Sequence, residues 1–183
     1  MSKFIFVAFC CLFSSNIFSQ TVFIADSGDV TFYSYAILED IKATSKSVNS
    51  LLNTVNNEIA FMIPMRSFKF AKALMQEHFN EKYIESDKYP QALYKGKVNE
   101  QLDYTKPGKY DVTTKGTLTI HGVEKEINEK GELNIQEGSI ILYTRFFVAL
   151  QDYKITKPSI MFNNIADTIE VKLNAYYHPF KKK

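Results

Sequence analysis

SFKFAKALMQEHFNEKYIESDKYP, residues 67–90, decides how the rest of this chain is read. Before it, Ile59, Phe61, Ile63 and Met65 recur at every second residue, the spacing of one face of a β-strand. Within it, Ala71, Leu74, Met75, His78 and Phe79 recur at three and four, the spacing of one face of a helix. After Pro90 the period returns to two. A single apolar-faced helix set into a run of strands predicts a plug or lid on a barrel, and so binding in preference to chemistry.

Working outward, strand patterns follow one another with turn signals between them. They cover residues 29–35, 37–48, 58–65, 92–100, 109–120, 123–129, 132–136, 139–150 and 168–177. Turns are expected within residues 51–57 and at Pro107-Gly108, His121-Gly122 and Lys130-Gly131. In the last strand Ile169, Val171, Leu173 and Ala175 alternate with Glu170, Lys172 and Asn174. No linker or internal repeat divides the chain. About eight strands, one or two short helices and no alternating βα pattern predict an all-β fold built on an antiparallel sheet. A sheet that wide curls and closes, which removes its edges, and leaves an interior for packed side chains or one small ligand.

The first residues read as a secretory signal. Lys3 precedes the apolar run FIFVAFCCLF, and small polar residues lead to Phe18-Ser19-Gln20. The run is shorter than the roughly 20 apolar residues of a membrane span. Cleavage is expected after Ser19, or a residue or two away because Ile17 is bulky, leaving residues 20–183 as one exported domain, periplasmic or secreted. Lipid anchoring through Cys10 or Cys11 is disfavoured by the bulky Phe9 before Cys10. Both cysteines leave with the signal, so the mature chain has no disulfide, thiolate nucleophile or cysteine metal site. The signal takes one lysine and no acid, lowering the formal net charge from +2 to +1. Lys and Glu are interspersed, which argues against nucleic acid. The only basic run, Lys181 to Lys183, reads as a solvated tail, with transient attraction to an anionic membrane as the alternative.

Phe61, Phe68, Phe70, Phe79, Phe146, Phe147 and Phe162 fall on strands or on the helix and its flanks. They serve either as core or as the lining of an apolar pocket. Residues 58–65 and 139–150 are apolar on both faces, so one face can meet the helix or an outer cover. Met62, Met65 and Met75 gather near the helix, where flexible thioethers suit an adaptable surface. Among the polar residues, His78 and Glu81 lie three apart on the helix, too few for a metal unless Glu85 or His121 folds back. His121 is expected to tie its bend by a hydrogen bond, Gly122 taking the turn conformation. Arg145, in an apolar strand, either points inward to meet a quinone carbonyl or phosphate, or points outward and pairs with an acid on the next strand.

Several stretches in order resemble the YceI-like family of polyisoprenoid-binding periplasmic proteins. They are VTFYS at residues 30–34, then Glu39, Ile41 and Ala43, the stretch 67–90, GTLTIHGVEK at 116–125, and Asp152-Tyr153 with ITKP at 155–158. The resemblance implies an extended lipocalin-like antiparallel β-barrel with an apolar tunnel, exported, and without catalysis or cofactor. The implied ligand is a long-chain isoprenoid, a quinone or a similar apolar lipid, carried or stored. Phe61, Met65, Phe68, Phe70, Leu74, Met75, Phe79, Phe146 and Phe162 are the expected wall, with Arg145 at a polar end. Analogy with such barrels leaves a homodimer open. The competing readings are a structural or stress-related barrel with a solid core, and a metal-assisted hydrolase using His78 and its acidic neighbours.

Overall fold

The structure, a computed structural model, describes residues 21–35, 40–157 and 165–181. Eight antiparallel strands close a barrel: β1 (Val22–Ser34), β3 (Asn49–Asn53), β4 (Glu58–Pro64), β6 (Gln91–Val98), β7 (Gly108–Ile120), β8 (Val123–Gln136), β9 (Ser139–Ala149) and β10 (Thr168–Pro179), which returns to β1. Two further strands, β2 (Ile41–Ser45) and β5 (Lys69–Phe70), extend one end, β2 pairing with the second half of β1 and β5 with β2. The first half of β1 pairs with β3 instead. A strand can serve two neighbours in this way only if it bends. The irregularity between Ile24 and Ser27 supplies the bend, at DSG, which reads locally as a turn. The strand therefore begins seven residues earlier than its alternation predicts.

The turn expected within residues 51–57 forms at residues 54–56, after β3 has taken in Leu51 and Leu52. One other expectation is corrected. Lys130-Gly131 is not a turn: β8 runs straight through it, pairing with Thr113 and Val112. Gly131 is there for close approach, since a Cβ would lie 2.9 Å from the Tyr143 carbonyl oxygen. The bend at His121-Gly122 does form, with φ of 52° and 71°, the two positive values a type I′ hairpin requires.

β8 and β9 pair only from Gly131–Thr144 to Gln136–Ser139. Beyond that point β8 stays with β7 and β9 stays with β10, so the wall forks. The Thr144 hydroxyl donates to the Lys130 carbonyl oxygen at 2.7 Å, capping the ladder where the strands part.

The helix is shorter than its periodicity. α1 (Ala73–His78) passes directly into a π-helical turn, Phe79–Tyr83, and Ala71 lies exposed before it. It packs against β5 at one end of the barrel. Phe79 is its anchor, with ring centroids 5.6 Å from Phe32, 5.8 Å from Phe68 and 5.0 Å from Phe70. The chain leaving it is held by Ser86, whose hydroxyl donates to Asn80 Oδ1 at 2.9 Å.

The barrel is half full. At the end away from the helix, Leu52, Leu133, Ile140 and Tyr177 are at most 1% exposed and fill the interior. Toward the helix the inward residues meet space.

Candidate ligand cavity

The hollow half is a cavity of about 450 Å³, within the range of sites that bury a small organic ligand. Its wall follows from strand alternation. Ile59, Phe61 and Ile63 face in from β4, Val112, Thr114, Leu118 and Ile120 from β7, and Thr144, Phe146 and Val148 from β9. From β10 come Ile169, Val171 and Leu173, the apolar half of the pattern seen in the sequence. Across the helix end lie Met65, Phe68, Phe70, Leu74, Met75, His78 and Phe79. α1 has no buried residue, and Leu74 is 60% exposed while still bordering the cavity. The helix is thus a partial lid rather than a plug.

Eight of the ten expected site residues border this space: Phe61, Met65, Phe68, Phe70, Leu74, Met75, Phe79 and Phe146. Phe162 lies outside the described residues. Met62 faces the other way from its neighbours on β4 and does not reach the cavity.

Arg145 is outside as well, which corrects its assignment to the ligand. On β9 the inward positions are Thr144, Phe146 and Val148, so Tyr143, Arg145 and Phe147 point outward. Phe147 is 58% exposed, which also removes the expected cover over this face. Arg145 Nε donates to Glu170 on β10, and its guanidinium lies 5.7 Å from the Phe147 ring centroid. Glu170 is 2% exposed although it faces outward, because Arg145, Lys172 and Tyr35 cover it. The Tyr35 hydroxyl donates to it at 2.7 Å. That bond, with smaller help from Lys172 and Arg145, holds its carboxyl below the usual range. Outward pairing on the adjacent strand satisfies the charge without a ligand.

The histidines separate. His121 ties its hairpin as expected, with Nδ1 3.1 Å from the Tyr153 carbonyl oxygen, and its Nε2 also lies 3.0 Å from Glu85 Oε2. Glu85 therefore meets His121 and Lys88, not His78. Among the described residues no group of three His, Cys, Asp or Glu side chains could hold a metal ion.

Sequence reasoning missed the wall between the aromatic clusters, which includes Phe32, Tyr94, Leu118, Ile127 and Glu129. The signal was present on β7, where Thr114 and Leu118 share the face of Val112. Glu129 was hidden by the mistaken turn at Lys130. Polar groups in the wall are few. Lys72 and His78 lie by the helix, and Tyr94, Thr114, Glu129, Lys130 and Thr144 lie between β6 and the fork.

Solved structures share this architecture at low identity. A polyisoprenoid binding domain from Saccharophagus degradans implicated in plant cell wall breakdown superposes with a TM-score of 0.75 at 15% identity, covering 88% of this chain and 99% of that one. Burkholderia cenocepacia BcnA gives 0.69 at 12% identity, covering 81% and 95%. The YCEI protein of Campylobacter jejuni gives 0.63 at 18% identity, covering 81% and 90%. These likenesses show the lipocalin-like fold. No curated protein matches the chain significantly. The model of the YceI-like domain matches residues 21–177, all ten strands except the end of β10, and the chain belongs to that family.

Proposed function

We propose that this is an exported binding protein, not an enzyme, that holds a long-chain isoprenoid or similar apolar lipid in the hollow half of its barrel for transport or storage. The observation that carries the reading is the cavity itself, bounded by inward apolar side chains from β4, β7, β9 and β10 and by the aromatic cluster under the helix. Each methylene moved from water into such a space contributes roughly 0.8 kcal/mol. A chain of several isoprene units is retained on that basis with little polar contact. The Saccharophagus degradans domain is described as polyisoprenoid binding, which supports the same ligand class here. Export rests on the charge, apolar run and small residues within residues 1–19. Met75 and Leu74 at the rim are suited to a lid that yields as a chain enters.

The test is chemical. The mature protein is purified with and without exposure to membrane extract, extracted with organic solvent, and the extract analysed by mass spectrometry. A stoichiometric apolar lipid is expected. Repeated preparations with no lipid would overturn the proposal.

A further inference from the structure

Tyr94 is nine-tenths buried, and its hydroxyl is the one buried side-chain nitrogen or oxygen among the described residues that has no hydrogen-bond partner. Other buried hydroxyls are served: Ser50 and Tyr177 meet at 2.5 Å, and Ser34 accepts from the Ala166 amide at 2.8 Å. An unpaired buried hydroxyl is costly, so its persistence calls for an explanation. The Tyr94 ring leans along the wall over the paired glycines Gly96 and Gly116. A Cβ on Gly96 would lie 2.4 Å from the hydroxyl oxygen, and one on Gly116 2.8 Å. The two glycines make room for the phenol and bring its oxygen level with Gly116.

The next inward residue on β7 is Thr114, directly opposite Glu129 on β8. Opposed side chains in such a pair start about 5 Å apart. Tyr94, Thr114 and Glu129 all border the cavity. Thr114 stands near the phenol without giving it a properly formed hydrogen bond. Glu129 carries no salt bridge among the described residues, and burial pushes its carboxyl above the usual range. Its position, two residues before β8 joins β9 at Gly131, puts it in the fork, where β8 has no partner on that side among the described residues. One buried donor with nothing to bind, one carboxyl and one hydroxyl thus share a small area of an otherwise apolar wall.

We infer that Tyr94, Thr114 and Glu129 form a seat for an uncharged, hydroxyl-bearing end of the ligand, whose hydrocarbon tail runs toward the aromatic cluster at the helix. A hydroxyl matches the three groups in both protonation states of Glu129. It accepts from the Tyr94 phenol and donates to a Glu129 carboxylate, or accepts from the acid. A phosphate or diphosphate would meet the Glu129 charge at the same place. The inference rests on the lipid-binding reading of this cavity and adds to it the chemistry and position of the polar end.

Three probes of one chain length separate the outcomes: geranylgeraniol, the hydrocarbon with hydrogen in place of its hydroxyl, and geranylgeranyl diphosphate. Each competes with the fluorescent probe N-phenylnaphthylamine on the mature protein. The wild type is expected to hold the alcohol tighter than the hydrocarbon, by about three- to tenfold, as one or two net hydrogen bonds allow. Tyr94→Phe should abolish that preference while leaving the hydrocarbon bound and raising the Tm of the empty protein, because an orphan hydroxyl is gone. A merely structural tyrosine would lower Tm instead. Glu129→Gln should keep the preference for the alcohol and Glu129→Leu should lose it. Equal ranking of alcohol and hydrocarbon in wild type and Tyr94→Phe, or tightest binding of the diphosphate, would overturn the seat while leaving the cavity as a lipid site. Failure of all three probes to compete would overturn the lipid-binding reading and the seat with it.

Discussion

His121 Nε2 lies 3.0 Å from Glu85 Oε2, fastening the β7–β8 hairpin to the residue where the chain turns away from the lid. Glu85 sits at φ 47°, a left-handed conformation uncommon for a side-chain-bearing residue, so contacts must hold it there. Lys88 pairs with the other carboxylate oxygen. The opposite ring nitrogen of His121 lies 3.1 Å from the Tyr153 carbonyl oxygen. The Tyr89 ring packs edge-on to the imidazole at 4.5 Å, and Gly122 leaves room for it. One histidine thereby joins the hairpin, the lid exit and the segment after β9.

The acid side of stability should report this contact. Lys88 first, and His121 after it, hold the Glu85 carboxyl below its ordinary value of 4.5. A carboxyl depressed in the folded state contributes stability that is present above its unfolded pKa and lost as pH falls through the folded one. Glu85→Gln should therefore lower Tm at neutral pH, and the difference from wild type should shrink as pH drops below 4.5. Thermal melts of both proteins across that window check it. A difference that stays constant into acid would mean that the charge of Glu85 does not hold the turn.

The alkaline side belongs to buried phenols. Burial pushes Tyr104 and Tyr153 up to about 12, and pushes Tyr177, at the filled end of the barrel, in the same direction. The neutral phenol is the form the fold favours, so this contribution is complete below the unfolded value of 10.0 and is lost as pH rises through the folded value. Tyrosinate absorbance should show an exposed class titrating first and a buried class appearing together with unfolding, near pH 12 or above. Tyr153→Phe should move the unfolding transition to higher pH. Titration of every tyrosine in one wave near the ordinary value, with the fold intact, would contradict the burial of these rings.

Phe79 should govern the lid. It touches Phe32, Phe68 and Phe70, whereas α1 has no buried residue of its own. Six residues make too short a helix to persist without tertiary contacts. Truncating a buried phenylalanine costs about 3–5 kcal/mol, and a half-buried one correspondingly less. Phe79→Ala is expected to cost roughly 2 kcal/mol in urea unfolding, and to raise protease cleavage within residues 71–83 well above cleavage elsewhere. The barrel strands, paired on both sides except where β8 and β9 part, should remain protected in hydrogen exchange. Uniform loss of protection would show that the lid and barrel unfold as one unit.

Much of this arrangement is legible in the sequence because strand alternation is a local signal with a fixed period. Ile59, Phe61, Ile63 and Met65 all face the cavity, as do Ile169, Val171 and Leu173. What alternation does not carry is which face is inward when both are apolar. Phe146 and Phe147 are adjacent and chemically identical, yet one lines the cavity and the other is exposed, and only the register with β10 decides between them. Arg145 was ambiguous for the same reason. Glycine misled in the opposite direction. Gly131 reads as a turn because turns are its commonest use, whereas here it relieves contact with the Tyr143 carbonyl across the sheet. The half-filled interior was illegible because it depends on which side chains meet across the axis, a relation between strands far apart in sequence.

Gly116 and Gly138 test whether close approach, rather than turn conformation, is what a strand glycine supplies in this barrel. At Gly138 the backbone has φ 72° and a Cβ would meet nothing within 4 Å, so alanine there suffers only conformational strain, about 1–2 kcal/mol. At Gly116 a Cβ would lie 2.3 Å from the Lys95 carbonyl oxygen and 2.5 Å from the Gly96 Cα, both backbone atoms of the paired strand. Neither can step aside without opening the β6–β7 ladder. Overpacking of this kind costs about 1–3 kcal/mol when side chains can adjust, and more when backbone must move. Gly116→Ala should therefore destabilise the protein clearly more than Gly138→Ala in urea unfolding. It should also displace the Tyr94 phenol that lies over it, so that the cavity wall changes along with the stability. Equal losses for the two variants would mean that β6 and β7 are not packed as closely as their glycine pair requires.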